Sequence, residues 1–270
     1  MTPTTAAARL TAMGPAFTRW CAPALLLLAS LPGQGQQPPA PPPSAPSPGA
    51  SAALLTRAVA LYDSRNFNGA FAAFRLAADS GSVDAMMYLG VMYAAGQGTI
   101  RNYRQALAWF SRAADAGDSQ AMCNVGSLYY QGAGISKNYD EARKWFRRAA
   151  VAGNAQAMFN LGVLYRDGSG VPVDYEEALK WLRQAAENGN AGAMNSIGVI
   201  YQNGQGVHAD YAEAMRWFLR AANAGSGSAM YNLGVSYKEG RGVSANPEEA
   251  AKWFAKASTA GADHDATKIP

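Results

Sequence analysis

Between positions 82 and 261 the apolar residues recur at steps of three and four, the rhythm of one helix face, then yield to a glycine-rich interval and resume. In the stretch 102–117, Ala106, Phe110, Ala113 and Ala114 lie on one such face, with Asn102 before it and Gly117 after it. The pattern predicts a helix, a loop and a second helix, and it returns five times at a spacing of 36 residues. Gly90, Gly126, Gly162, Gly198 and Gly234 keep that spacing, as do Tyr93, Tyr129, Tyr165, Tyr201 and Tyr237. So do Trp109, Trp145, Trp181, Trp217 and Trp253. A period of this length with helical spacing inside it signals a solenoid, because each pair buries its apolar face only by stacking on its neighbours. These glycines and tryptophans are the expected structural core of the repeat, small residues setting the helix approach and aromatics filling the groove.

Local start and stop signals agree with the period. Ser82, Asp118, Asn154, Asn190 and Ser226 are capping residues ahead of the first helix of each unit. Asn102, Asn138, Asp174, Asp210 and Asn246 precede the second, with Gln105, Glu141, Glu177, Glu213 and Glu249 three residues later, the sequence of a capping box. Pro247 occupies a first helical position, where its missing N–H costs nothing. The expected units are 82–117, 118–153, 154–189, 190–225 and 226–261.

The flanks differ. Residues 51–81 align with half of the pattern through Phe67, Ala70, Phe74, Ala77, Ala78 and Gly81, without the paired loop glycines; an irregular helical pair suits a cap. Residues 36–50 hold seven prolines and read as an extended, solvated linker. Residues 1–35 read as an export signal, with Arg9 and Arg19 ahead of a short apolar core, Trp20 to Leu31; Met13 is an alternative start. The expected location is therefore periplasmic or secreted, with no membrane-spanning segment after cleavage. After Gly261 a nine-residue tail remains, too short for another pair, and the last flank is open to a partner or to self-association.

Composition narrows the function classes. With 49% hydrophobic residues the chain can bury a large core, and a net charge of +4 without a basic cluster gives no case for nucleic acid. Of two cysteines, Cys21 falls in the export signal, so Cys123 has no partner for an intramolecular disulfide. His208 sits in a loop and His264 in the tail, and neither has companions that suggest catalysis or a metal site. No phosphate-binding loop, zinc-protease motif or penicillin-recognising serine motif is present, so no cofactor, metal or catalytic residue is expected.

The string A-M-x-N-L-G-x-x-Y-x-x-G-x-G-V followed by D-Y-x-E-A-x-x-W-x-x-x-A-A-x-x-G resembles the Sel1-like repeat, a relative of the tetratricopeptide repeat with a longer interhelix loop. The resemblance covers about two-thirds of the chain. It implies an all-α fold, an α/α solenoid that winds as a right-handed superhelix, and a non-catalytic scaffold for a protein or peptide partner. Some exported relatives carry disulfides within each repeat and were tied to β-lactamase activity; with Cys123 alone outside the signal, this chain departs from that branch. A β-lactamase-like hydrolase and a cell-wall glycan binder using Tyr139, Tyr175 and Tyr211 remain as alternatives.

If the first helices line the concave face, binding belongs to the positions there that vary while the core columns stay fixed. One column reads Met87, Cys123, Phe159, Asn195, Tyr231, the next Tyr88, Asn124, Asn160, Ser196, Asn232. Asparagine offers a donor and an acceptor to an extended peptide backbone. Asn124, Asn160 and Asn232 form the candidate ladder, Phe159 and Tyr231 the anchors, and Arg166 and Lys238 the partners for a carboxylate. The competing expectation is that these asparagines bond within the array.

Overall fold

The computed structural model describes residues 48–260, and among them there are twelve α-helices and no strand. They are α1 (Pro48–Asp63), α2 (Phe67–Asp79), α3 (Val83–Ala95), α4 (Tyr103–Asp115), α5 (Ser119–Gln131), α6 (Tyr139–Val151), α7 (Ala155–Asp167), α8 (Tyr175–Glu187), α9 (Ala191–Asn203), α10 (Tyr211–Asn223), α11 (Gly227–Glu239) and α12 (Pro247–Thr259). The fold is an all-α solenoid of helix pairs. The chain divides into two compact units, one ending at Ala149 near the end of α6 and the other beginning at Ala150. The export signal, most of the proline-rich linker and the tail from Gly261 lie outside the described residues.

In unit 1 each helix from α1 to α5 packs on the next. Its first pair is held by an aromatic cluster: the Phe74 ring stacks on Tyr88 at 4.3 Å, and Tyr62 meets Phe67, Phe74 and Tyr88 edge-on. The Tyr62 hydroxyl donates to Gln97 Oε1 at 2.8 Å, joining α1 to the loop after α3. Tyr88 therefore stands where the later repeats carry Asn124, Asn160, Ser196 and Asn232. In unit 2 each helix from α7 to α12 packs on the next, and α7 also touches α9.

Every repeat is closed by the same short-range bonds. All ten expected capping side chains accept the backbone N–H three residues on, from Ser82 to Ala85 at 3.3 Å through Asn246 to Glu249 at 3.0 Å. The first helix of each repeat ends at Gly96, Gly132, Gly168, Gly204 or Gly240, all in the left-handed region that a side chain would strain. The capping box is only half formed. The N–H of Asn102, Asn138, Asp174, Asp210 and Asn246 donates to the carbonyl of Tyr93, Tyr129, Tyr165, Tyr201 and Tyr237 at 2.8–3.0 Å, clipping the loop to the preceding helix. The glutamates, with that donor taken, turn outward to Lys144, Lys180, Arg216 and Lys252. Such exposed pairs contribute little stability.

Close helix approach depends on the glycine column. A Cβ on Gly198 of α9 would lie 2.5 Å from Phe218 Cε1 and 3.2 Å from the Ala214 carbonyl of α10. Gly126 meets Phe146, and Gly162 meets Leu182, in the same way. The ring that fills the groove is thus the residue after the tryptophan: Phe110 and Phe218 are 0% exposed. Trp109, Trp145, Trp217 and Trp253 are half-buried, each covered by the cation three residues on, Arg112, Arg148, Arg220 or Lys256, at 4.1–4.3 Å from the ring centroid. Trp181 has Gln184 at that position, is itself buried, and donates its Nε1 to Glu177 Oε1 at 2.7 Å. In the last pair, Phe254 and Met230 are half-buried, while Phe218 and Met194 are buried.

Two carboxylates in unit 1 make stability depend on pH. Burial raises the Asp118 carboxyl above its ordinary value, opposed by bonds from the Ala121 and Gln120 N–H groups. Burial, and then the charge of Asp118, raises Asp84. An acid with a raised native pKa holds its proton longer in the folded chain, so stability falls as pH climbs from 3.8 through the raised value, and the penalty is complete above it. Asp84→Asn is therefore expected to raise the urea midpoint at pH 7 and to leave it unchanged below pH 3.8. An equal gain at both pH values would trace the effect to something other than the charge.

Candidate binding surface

The candidate residues occupy the first helix of each repeat. In unit 1, Asn124 is buried on α5 and accepts from Gln120 Nε2 at 3.2 Å. Cys123 beside it is fully buried. In unit 2, Asn160 is buried on α7 and accepts from Gln156 Nε2 at 3.1 Å, and Asn190 Nδ2 donates to Gln156 Oε1 at 3.3 Å. Within each unit these amides bond to one another, the internal bonding that competes with a ligand-facing ladder. Asn232 on α11 is half-buried and donates from Nδ2 to Asn195 Oδ1 on α9 at 2.9 Å.

Phe159 is buried, and a Cβ on Gly192 of α9 would lie 3.4 Å from its ring. The other repeats have Asp84, Gln120, Gln156 or Ser228 at that position, so Gly192 is where the Phe159 ring meets bare backbone instead of a side chain. Tyr231 is half-buried with its ring 5.3 Å from that of Phe254. The Arg166 guanidinium engages both oxygens of its neighbour Asp167, at 2.6 and 3.1 Å, and reaches Ser196 Oγ at 3.5 Å. Lys238 is exposed. Exposure thus gathers on α9 and α11, at Asn195, Val199, Gln202, Tyr231, Asn232, Val235 and Lys238.

The three candidate tyrosines open helices instead of lying in loops: Tyr139, first in α6, packs edge-on against Tyr130, and Tyr175, first in α8, accepts from Gln205 Nε2 at 3.4 Å. Tyr211 is 43% exposed. Among the described residues, no three His, Cys, Asp or Glu side chains come together to hold a metal ion, and no helix is long and apolar enough to cross a membrane. His208 is exposed.

The Sel1 repeat model matches five consecutive segments, 83–118, 119–154, 155–190, 191–226 and 227–261, and these contain every helix pair from α3 to α12. The chain belongs to the Sel1 repeat family. A Sel1 repeat protein from Oxalobacter formigenes is 34% identical over 77% of this chain and 84% of its own, with a TM-score of 0.72. The protein c5321, a protective antigen present in uropathogenic Escherichia coli strains and displaying an SLR fold, is 31% identical over 78% of this chain, with a TM-score of 0.70. The match covers 46% of c5321, so this Sel1 repeat chain spans about half of that relative. The immunity protein Pa5087 from Pseudomonas aeruginosa, 20% identical over 82% of this chain and 85% of its own with a TM-score of 0.55, shares the fold. No curated protein matches the chain. Within the Sel1 frame, the half-exposed positions of α9 and α11 are those that the repeat's glycine, tyrosine and phenylalanine columns leave unspecified.

Proposed function

We propose that this Sel1 repeat chain is an exported, non-catalytic scaffold that binds a protein or peptide partner across the exposed side of α9 and α11. The observation that carries the reading is the pairing of Asn232 with Asn195, which holds two amides in register beside Tyr231 and Lys238. Amides held this way present donors and acceptors to an extended backbone, the phenol ring supplies contact area, and the ammonium takes a carboxylate. Sel1 repeats usually mediate protein interactions, which supports the choice of partner class. Export rests on the sequence pattern of residues 1–35.

The test is affinity capture from an envelope fraction with wild type and a Tyr231→Ala/Asn232→Ala/Lys238→Ala variant. Phe159 and Arg166 are left intact, because one is buried and the other is bound to Asp167. A specific partner is expected to fall at least about tenfold in recovery with the variant, whose helicity and melting stay those of wild type. Equal recovery would remove α9 and α11 from the site, and turnover of a chromogenic β-lactam that a point change abolishes would replace the scaffold reading with an enzyme.

A further inference from the structure

The charges that no ion pair engages at the long-loop edges are of opposite sign in the two units. In unit 1 three loops lie side by side: Gly98 packs against the Phe67 carbonyl, and Gly134 packs on Tyr103. They bear Arg65, Arg101 and Lys137, all exposed, and Arg104 reaches across from α4 to donate to the Gly134 carbonyl at 3.4 Å. Arg101 and Lys137 lie over the Tyr103 and Tyr139 rings at 5.9 and 5.6 Å, which keeps their charges at this edge. Segments 96–105 and 132–139 contain no Asp or Glu; the carboxylates flanking them are Asp63, at the end of α1, and Asp140, one residue after Tyr139, which is paired with Arg143 at 3.0 Å. Among the described residues none of these four cations is in an ion pair. Beside them Ile100 is 88% exposed, an apolar side chain that no packing within unit 1 explains.

In unit 2 the loops 168–174 and 204–210 end in acids and α8 and α12 add one unpaired acid each in their first turns, while the third loop, 240–246, carries only Arg241, which is paired with Glu239 at 2.6 Å. Asp174, Glu176, Asp210 and Glu248 are exposed, and no ion pair among the described residues involves them. Asp174 and Asp210 each use one oxygen to cap a helix. Beside Asp174 stands Val173, 52% exposed, in the place relative to the charge that Ile100 holds relative to Arg101. Arg101 and Lys137 are one 36-residue repeat apart, and so are Asp174 and Asp210. Both charge rows therefore advance by the same structural step.

We propose that the loop edge of unit 1 docks onto the loop edge of unit 2 of a second copy of this chain. Charge complementarity, the shared repeat step and one exposed apolar residue on each edge select a second copy over an arbitrary acidic surface. The half-buried Met230 and Phe254 at the last helix pair offer no comparable indication of what would cover them. Because the charges are exposed, the association is weak and strongly screened by salt.

Sedimentation equilibrium of the full chain, at protein concentrations up to about 200 µM, reads the effect directly. The dissociation constant of wild type is expected to rise at least about tenfold between roughly 20 and 300 mM salt. Arg101→Glu/Arg104→Glu/Lys137→Glu alone, or Glu176→Lys/Glu248→Lys alone, loses the association. An equimolar mixture of the two variants regains it, since the reversed edges again complement one another. All five positions are exposed, so both variants are expected to fold, which circular dichroism checks. A wild type that stays monomeric at low salt overturns the proposal, as does a mixture that fails to reassociate. Monomeric wild type that floats with phosphatidylglycerol vesicles would assign the basic edge to an anionic membrane surface instead.

Discussion

Phe218→Ala is expected to lower the unfolding free energy by about 3–5 kcal/mol. Trp217→Ala, one residue earlier and the removal of a larger ring, is expected to cost only about 1–2 kcal/mol. The difference follows from where each ring sits. Phe218 is 0% exposed and fills the space over Gly198, so truncation leaves a cavity between α9 and α10. Trp217 is half-buried, and the Arg220 guanidinium over its face at 4.3 Å supplies the modest attraction of a partly solvated cation–π pair. Urea unfolding of the full chain followed by far-UV circular dichroism measures both. A larger loss at Trp217 would mean that the tryptophan column, and not the phenylalanine beside it, fills the groove.

The same contact viewed from α9 gives the second prediction. Gly198→Ala should cost about 1–3 kcal/mol in the wild-type chain, since the new methyl meets Phe218 at 2.5 Å and the neighbouring Ala214 carbonyl blocks retreat. With Phe218 already replaced by alanine, the same substitution should stabilise by up to about 1 kcal/mol, because alanine is the better helix former once the clash is gone. The effect changes sign between backgrounds, which a double-mutant cycle detects without reference to absolute stability. Additive costs would show that some contact other than the ring forbids a side chain at position 198.

The helices were legible because their ends are written locally. A capping residue and a glycine decide where each begins and stops, and all ten caps bond as their spacing implies. The outward half of the capping box was not legible, because the donor it needs is claimed by a tyrosine carbonyl nine residues earlier. Period alone also could not rank Trp217 against Phe218, adjacent apolar residues at equally regular spacing. The signal lay three positions on: Arg112, Arg148, Arg220 and Lys256 mark the aromatic that faces water, and Gln184 marks the exception, Trp181. For the binding surface, the sequence marks the varying positions but not their depth. Asn124 and Asn160 are buried and Asn232 is half-buried, a distinction set by how each repeat is covered rather than by residue type.

The clip between each capping residue and the preceding tyrosine carbonyl bears on how such a chain can change length over generations. Cap, clip and left-handed glycine all close within one unit, so removing or copying a segment of 36 residues rejoins chemically equivalent ends wherever the cut falls. A cut that is not a whole number of units would put the capping residue, its clip and the left-handed glycine out of step with one another. Recombination between misaligned copies of the gene is thereby filtered toward whole-unit gains and losses, and the number of units can drift while the chemistry of each stays fixed.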